Sequence, residues 1–93
     1  MKMILISYDL NGNRKNYDGL FDAIKHLGDW CHCLKSDWLI YTNKTPQQVY
    51  ESLRLCLDND DYLLVNEVNL YALVGWLPKD ASDWVNARVP AYR

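Results

Sequence analysis

No stretch of this sequence approaches the ~20 consecutive apolar residues that cross a bilayer as a helix, which argues against a membrane-spanning helix. Positive charge is not gathered either. Ten Lys and Arg stand against twelve Asp and Glu, for a net charge of −2, and Arg14-Lys15 is the only adjacent basic pair. Phosphate contacts dominate nucleic-acid affinity, so binding through a broad basic face is excluded and any nucleic-acid contact must be local. Three cysteines, an odd number, exclude a fully paired disulfide framework and point to free thiols in a reducing compartment. Glycine and proline are scarce, four and three, and nowhere join serine in a linker-like run. Met1-Lys2 leads directly into an apolar strand without the charged, apolar and small-residue regions of a secretory signal. A cytoplasmic protein is the expectation.

What is present is apolar and aromatic. About half of the 93 residues are hydrophobic, 49%, enough to fold throughout as one domain spanning 1–93 with a two-layer core. The size leaves a further interface useful for stability.

Met3 to Tyr8 reads as a first strand ending on Asp9 and running into the polar turn Asn11-Gly12-Asn13-Arg14. Tyr17, Leu20, Phe21, Ile24 and Leu27 then recur at helical spacing, with acids early, Lys25 and His26 late and Gly28 beyond the end, which predicts an amphipathic helix from about Asn16 to Leu27. Two extended segments, Trp30 to Lys35 and Trp38 to Thr42, flank the bend Ser36-Asp37. Thr45-Pro46-Gln47-Gln48 carries a Thr N-cap, Pro at the first helical position and a Gln that completes a capping box. The stripe Val49, Tyr50, Leu53, Cys56, Leu57 continues that helix. After the acidic turn Asp58-Asn59-Asp60-Asp61, Tyr62 to Val65 is a fourth strand.

The order β-α-β-β-α-β predicts an α+β, ferredoxin-like two-layer sandwich with both helices on one face of a four-stranded antiparallel sheet. Tyr71 to Leu77 adds an expected fifth, C-terminal strand, and Pro78-Lys79-Asp80 introduces a short helix around Ala81 to Arg88. The strands are apolar on both sides, so the face away from the helices needs a partner or the chain's own tail. A homodimer through that face, with the fifth strand exchanged, is the expectation.

Asp9 is the first candidate for chemistry. A carboxylate at a strand tip serves as a metal ligand, and a two-fold dimer brings two copies together into one oxygen site; the same residue also caps loops, and both readings stand. Cys31-His32-Cys33 alternates along a strand, so the thiols face one way and the imidazole the other. A structural zinc site takes four ligands, usually with a C-x₂₋₄-C pair, and buried small side chains are the simpler reading. His26 and His32 have no sequence-near nucleophile. Asp58 to Asp61 lacks the glycine and bidentate Glu of an EF-hand and reads as a solvated turn. Trp30, Trp38, Tyr41, Trp76 and Trp84 either stack bases or pack in a core or dimer, and the absence of interleaved basic residues favours packing.

Ile4-Leu5-Ile6-Ser7-Tyr8-Asp9-Leu10, the helix near Tyr17, Ser36-Asp37-Trp38 and Leu57-Asp58 through Asp61 to Leu63-Leu64-Val65 resemble the CRISPR-associated Cas-two family and its VapD-like and orphan relatives, over about residues 2 to 70. The resemblance implies a ferredoxin-like homodimer in which Asp9 binds Mg²⁺ across the two-fold axis and supports endonuclease hydrolysis of RNA or DNA. Ser7, Ser36 and Asn13 would orient substrate or water, and Arg14 and Lys15 would contact phosphate. It equally implies a scaffold role in which the aspartate is not catalytic. Only Arg14 and Lys15 match the family's basic stretch, which points to an orphan relative. The competing expectation is a non-enzymatic interaction or scaffold protein of phage or mobile-element origin.

Overall fold

A computed structural model describes residues 1–12 and 16–88. Strand β1 (Lys2–Asp9) leads to helix α1 (Asp18–Lys25), strands β2 (Asp29–Leu34) and β3 (Asp37–Thr42), helix α2 (Pro46–Arg54) and strand β4 (Tyr62–Val68). A 3₁₀ turn (Leu70–Ala72) and helix α3 (Lys79–Arg88) complete the described chain. The fold is α+β, with a four-stranded sheet in the order β2-β3-β1-β4 and every neighbouring pair antiparallel.

Both central strands are apolar on two sides because both sides are covered. Ile4, Ile6 and Tyr8 of β1, with Trp38 and Ile40 of β3, pack against Leu20 and Ile24 of α1 and Val49 and Leu53 of α2. Met3 and Leu39 face the opposite way with Cys31 and Cys33, and there the chain's own tail covers them through Leu70, Leu73, Leu77, Ala81, Trp84 and Val85. Helix α3 is tied to β2 by the Arg88–Asp29 ion pair, and the Arg88 guanidinium lies 4.0 Å over the Trp84 ring.

The local signals explain the helix boundaries. The Asn16 side chain accepts from the Asp18 amide at 2.7 Å, an Asx turn that opens α1. Gly28 is needed for approach rather than for an unusual φ: a Cβ there would lie 2.6 Å from the Tyr41 carbonyl. The Thr42 hydroxyl donates across the same junction to the Leu27 carbonyl at 2.7 Å. At α2 the capping box forms in both directions, with the Gln48 amide donating to Thr45 Oγ1 at 3.1 Å and the Thr45 amide to Gln48 Oε1 at 2.9 Å. Thr45→Ala is therefore expected to cost about 1 kcal/mol in urea titration, and a loss under a few tenths would show that packing alone sets this end.

The expected fifth strand does not form. From Tyr71 to Leu77 the chain makes the 3₁₀ turn, opened by Asn69 accepting from the Tyr71 amide at 2.9 Å, and then crosses the sheet face as an unpaired strap. The strap buries Leu73 and Leu77 against the second core. Alternating apolar residues report burial of one side, which a strap over a sheet satisfies as well as a strand within one. Of the two covers expected for the face away from the helices, a partner or the chain's own tail, the tail supplies one.

Candidate functional site

Asp9 is the last residue of β1, in register with Tyr62 of β4, and it is exposed. Tyr8 turns into the core under the helices, so Ser7 and Asp9 turn to the other side of the sheet, where Ser7 sits opposite Asp37. Ser7, Asp9, Tyr62 and Leu64 border a shallow depression of about 170 Å³. The strap passes this corner by, leaving Tyr62 67% and Leu64 65% exposed. Ser36 is exposed in the β2–β3 turn, and its carbonyl accepts from the Tyr8 amide at 3.1 Å, which places Ser36 at the same sheet end as Asp9. Asn13, Arg14 and Lys15 lie outside the described residues.

The loop after Asp9 is held by a different acid. Asp61 Oδ1 accepts from the amides of Asn11 and Gly12, each at 2.8 Å, and from the Tyr17 hydroxyl at 2.9 Å. Its Oδ2 accepts from the Asp58 amide at 2.8 Å. Burial pushes the Asp61 pKa up, but the donors from Asp58, Gly12, Tyr17 and Asn11 together bring it below the ordinary aspartate value. The Tyr17 hydroxyl is pushed up, first by burial and then by Asp61. Gly12 has no room for a side chain, since a Cβ would lie 2.6 Å from Asp58 Oδ2. Read in sequence as part of a solvated turn, Asp61 is instead only 8% exposed and works as a clamp between β4 and the β1–α1 loop. The Asp9 carboxylate makes no hydrogen bond or ion pair among the described residues, so in them loop capping falls to Asp61.

The strand cysteines, His32 and Trp38 have structural occupations. Cys31 and Cys33 are buried on the tail side and all three thiols are free. Burial, first of all, pushes the Cys33 thiol up to about 11, and its Sγ donates to the Asp37 carbonyl at 3.4 Å. Such a thiol stays protonated and unreactive at neutral pH. His32 stacks on Trp38 at 4.0 Å between centroids and 10° between planes, and its Nε2 donates to the Lys35 carbonyl at 3.1 Å. Trp38 itself is enclosed, its indole N–H donating to Tyr8 Oη at 3.0 Å. Burial raises the Tyr8 pKa, partly offset by the Trp38 donor and reinforced by Asp37. Among the described residues no group of three His, Cys, Asp or Glu side chains is placed to hold a metal, and no helix is long and apolar enough to cross a membrane.

Comparisons with protein-family models, curated proteins and solved structures return no match.

Proposed function

We propose that this chain acts as a homodimer on a ferredoxin-like βαββαβ frame of the Cas-two type, in which two Asp9 carboxylates meet and hold Mg²⁺ for hydrolysis of a phosphodiester in RNA or DNA. One observation carries the reading: the corner of the sheet that the tail leaves bare is the corner that bears Asp9, and its neighbours are the large apolar side chains of Tyr62 and Leu64. An exposed apolar patch beside a polar rim is a common association surface. In a two-fold contact, a residue near the axis meets its own copy. The element order and the strand order β2-β3-β1-β4 support the ferredoxin-like frame.

The donor chemistry fits the ion. Mg²⁺ keeps several waters and takes one or two carboxylates, which two copies of Asp9, unpaired among the described residues, supply. When bound, it would lower the pKa of a coordinated water and neutralise charge on the phosphate. The chain's own groups would position the substrate, with the Ser7 and Ser36 hydroxyls donating at this strand end; Asn13, Arg14 and Lys15, outside the described residues, would supply the polar and phosphate contacts.

A non-enzymatic scaffold is the second reading, favoured by the strap's outward side, where Trp76 is 99% exposed. Light scattering and a nuclease assay with Mg²⁺ or Mn²⁺ separate the two. The expected result is a dimer whose hydrolysis falls at least about a hundredfold in Asp9→Ala with the dimer intact. Equal activity in the variant removes Asp9 from the mechanism. A dimer without hydrolysis leaves the scaffold, and a monomer at high concentration ends the hydrolase reading.

A further inference from the structure

The strap does not lie flat on the sheet. Between it, α3 and the second face is a cleft of about 520 Å³, within the ~300–1,000 Å³ range of small-molecule sites. Leu5 and Leu39 form its floor, Leu73 and Leu77 come from the strap, and Val85 from α3. Of all its lining residues Asp37 alone carries a formal charge. Asp37 lies on the same side of β3 as Leu39 and is half-buried. Its carboxylate has no cation partner among the described residues.

A carboxylate beside apolar walls keeps only part of its hydration, and a cation brought by a ligand restores the lost interaction. The walls set the rest of the ligand, since hydrophobic surface selects a hydrophobic body. At the rim stands the Trp76 indole, nearly free of contacts, and the face of such a ring also attracts a cation. Among the described residues no lining side chain carries a positive charge to favour an anion. The one ionisable thiol, Cys33, is held neutral by burial, and Ser82 and Asn86 are the uncharged polar side chains of the lining.

We propose that this cleft binds a hydrophobic amine, its ammonium group against Asp37 and its aliphatic or aromatic body between the strap and the sheet. The cleft shares no lining residue with the depression at Asp9, although Asp37 lies opposite Ser7 across the strands, and the proposal does not depend on the chain being a nuclease or a dimer.

The test compares probes of one shape and different charge: 4-phenylbutylamine, the alcohol 4-phenylbutan-1-ol and the anion 4-phenylbutyrate, followed by calorimetry and by the amide and indole N–H shifts of Leu73, Trp76 and Val85. The amine is expected to bind with a Kd below about 1 mM, in keeping with a ligand of this size. The alcohol should bind at least about tenfold more weakly, and the anion more weakly still. Asp37→Asn is expected to bring the amine down to the affinity of the alcohol while leaving the alcohol unchanged, and Asp37→Glu to restore part of the preference. Equal binding of the three probes, no binding of the amine at 1 mM, or shifts confined to residues outside the cleft would overturn the proposal. Should Asp37→Asn fail to fold, the three-probe comparison on the unaltered protein decides alone.

Discussion

Replacing Trp38 with alanine is expected to remove about 3–5 kcal/mol of folding stability, a large part of the ~5–15 kcal/mol that holds a small domain together. The ring is 1% exposed and packs between α1 and the sheet, against Phe21 at 5.8 Å, Trp30 at 5.5 Å and His32 at 4.0 Å between centroids. Truncation opens a cavity under α1 and also strips Tyr8 Oη of its indole donor. Trp38→Phe keeps most of the ring and loses only that donor and some volume, so its expected cost is below about 2 kcal/mol. Urea unfolding of the two variants checks the order. An alanine variant losing under about 1 kcal/mol would mean that the aromatic group is not the core of this layer.

Asp61→Ala is the other large effect, on the order of 3 kcal/mol, because four donors lose one acceptor group and three of them are backbone amides fixed in place. The effect has a pH signature. The Asp61 pKa is lower in the folded chain than the ordinary 3.8, so its contribution is fully present above that value and is lost as pH falls through the folded pKa. The stability gap between unaltered protein and variant should be constant near neutrality and close progressively below about pH 4. A gap that stays the same down to pH 2 would show that the charge of Asp61 contributes nothing. Asp61→Asn, which keeps the shape and one acceptor oxygen, should fall between the two.

Most of the element order was legible because it is written in short-range signals. The Thr45-Pro46-Gln48 box forms as the residues announce it, the Leu20-Ile24 stripe faces the sheet, and the alternation of Cys31, His32 and Cys33 sends the thiols and the imidazole to opposite sides. The tail was misread for a physical reason: Leu73 and Leu77 show only that one side of the segment is buried, and pairing depends on an edge that no local pattern describes. Asp61 was invisible for a different one. Its partners Asn11 and Gly12 are 50 and 49 residues away, and an acid that organises a distant loop looks in sequence like any acid in a turn. Asp37 was similarly hidden, because its place beside an apolar cleft exists only once the strap has crossed the sheet.

The order in which the polypeptide is synthesised gives the tail one more consequence. Sheet pairing is complete once residue 68 is available, whereas the segment that shields Met3, Leu39 and both strand cysteines is made afterwards. Until the tail docks, a sheet with its ladders formed shows water a greasy side, where chaperones or a neighbouring copy can intervene before the chain seals itself.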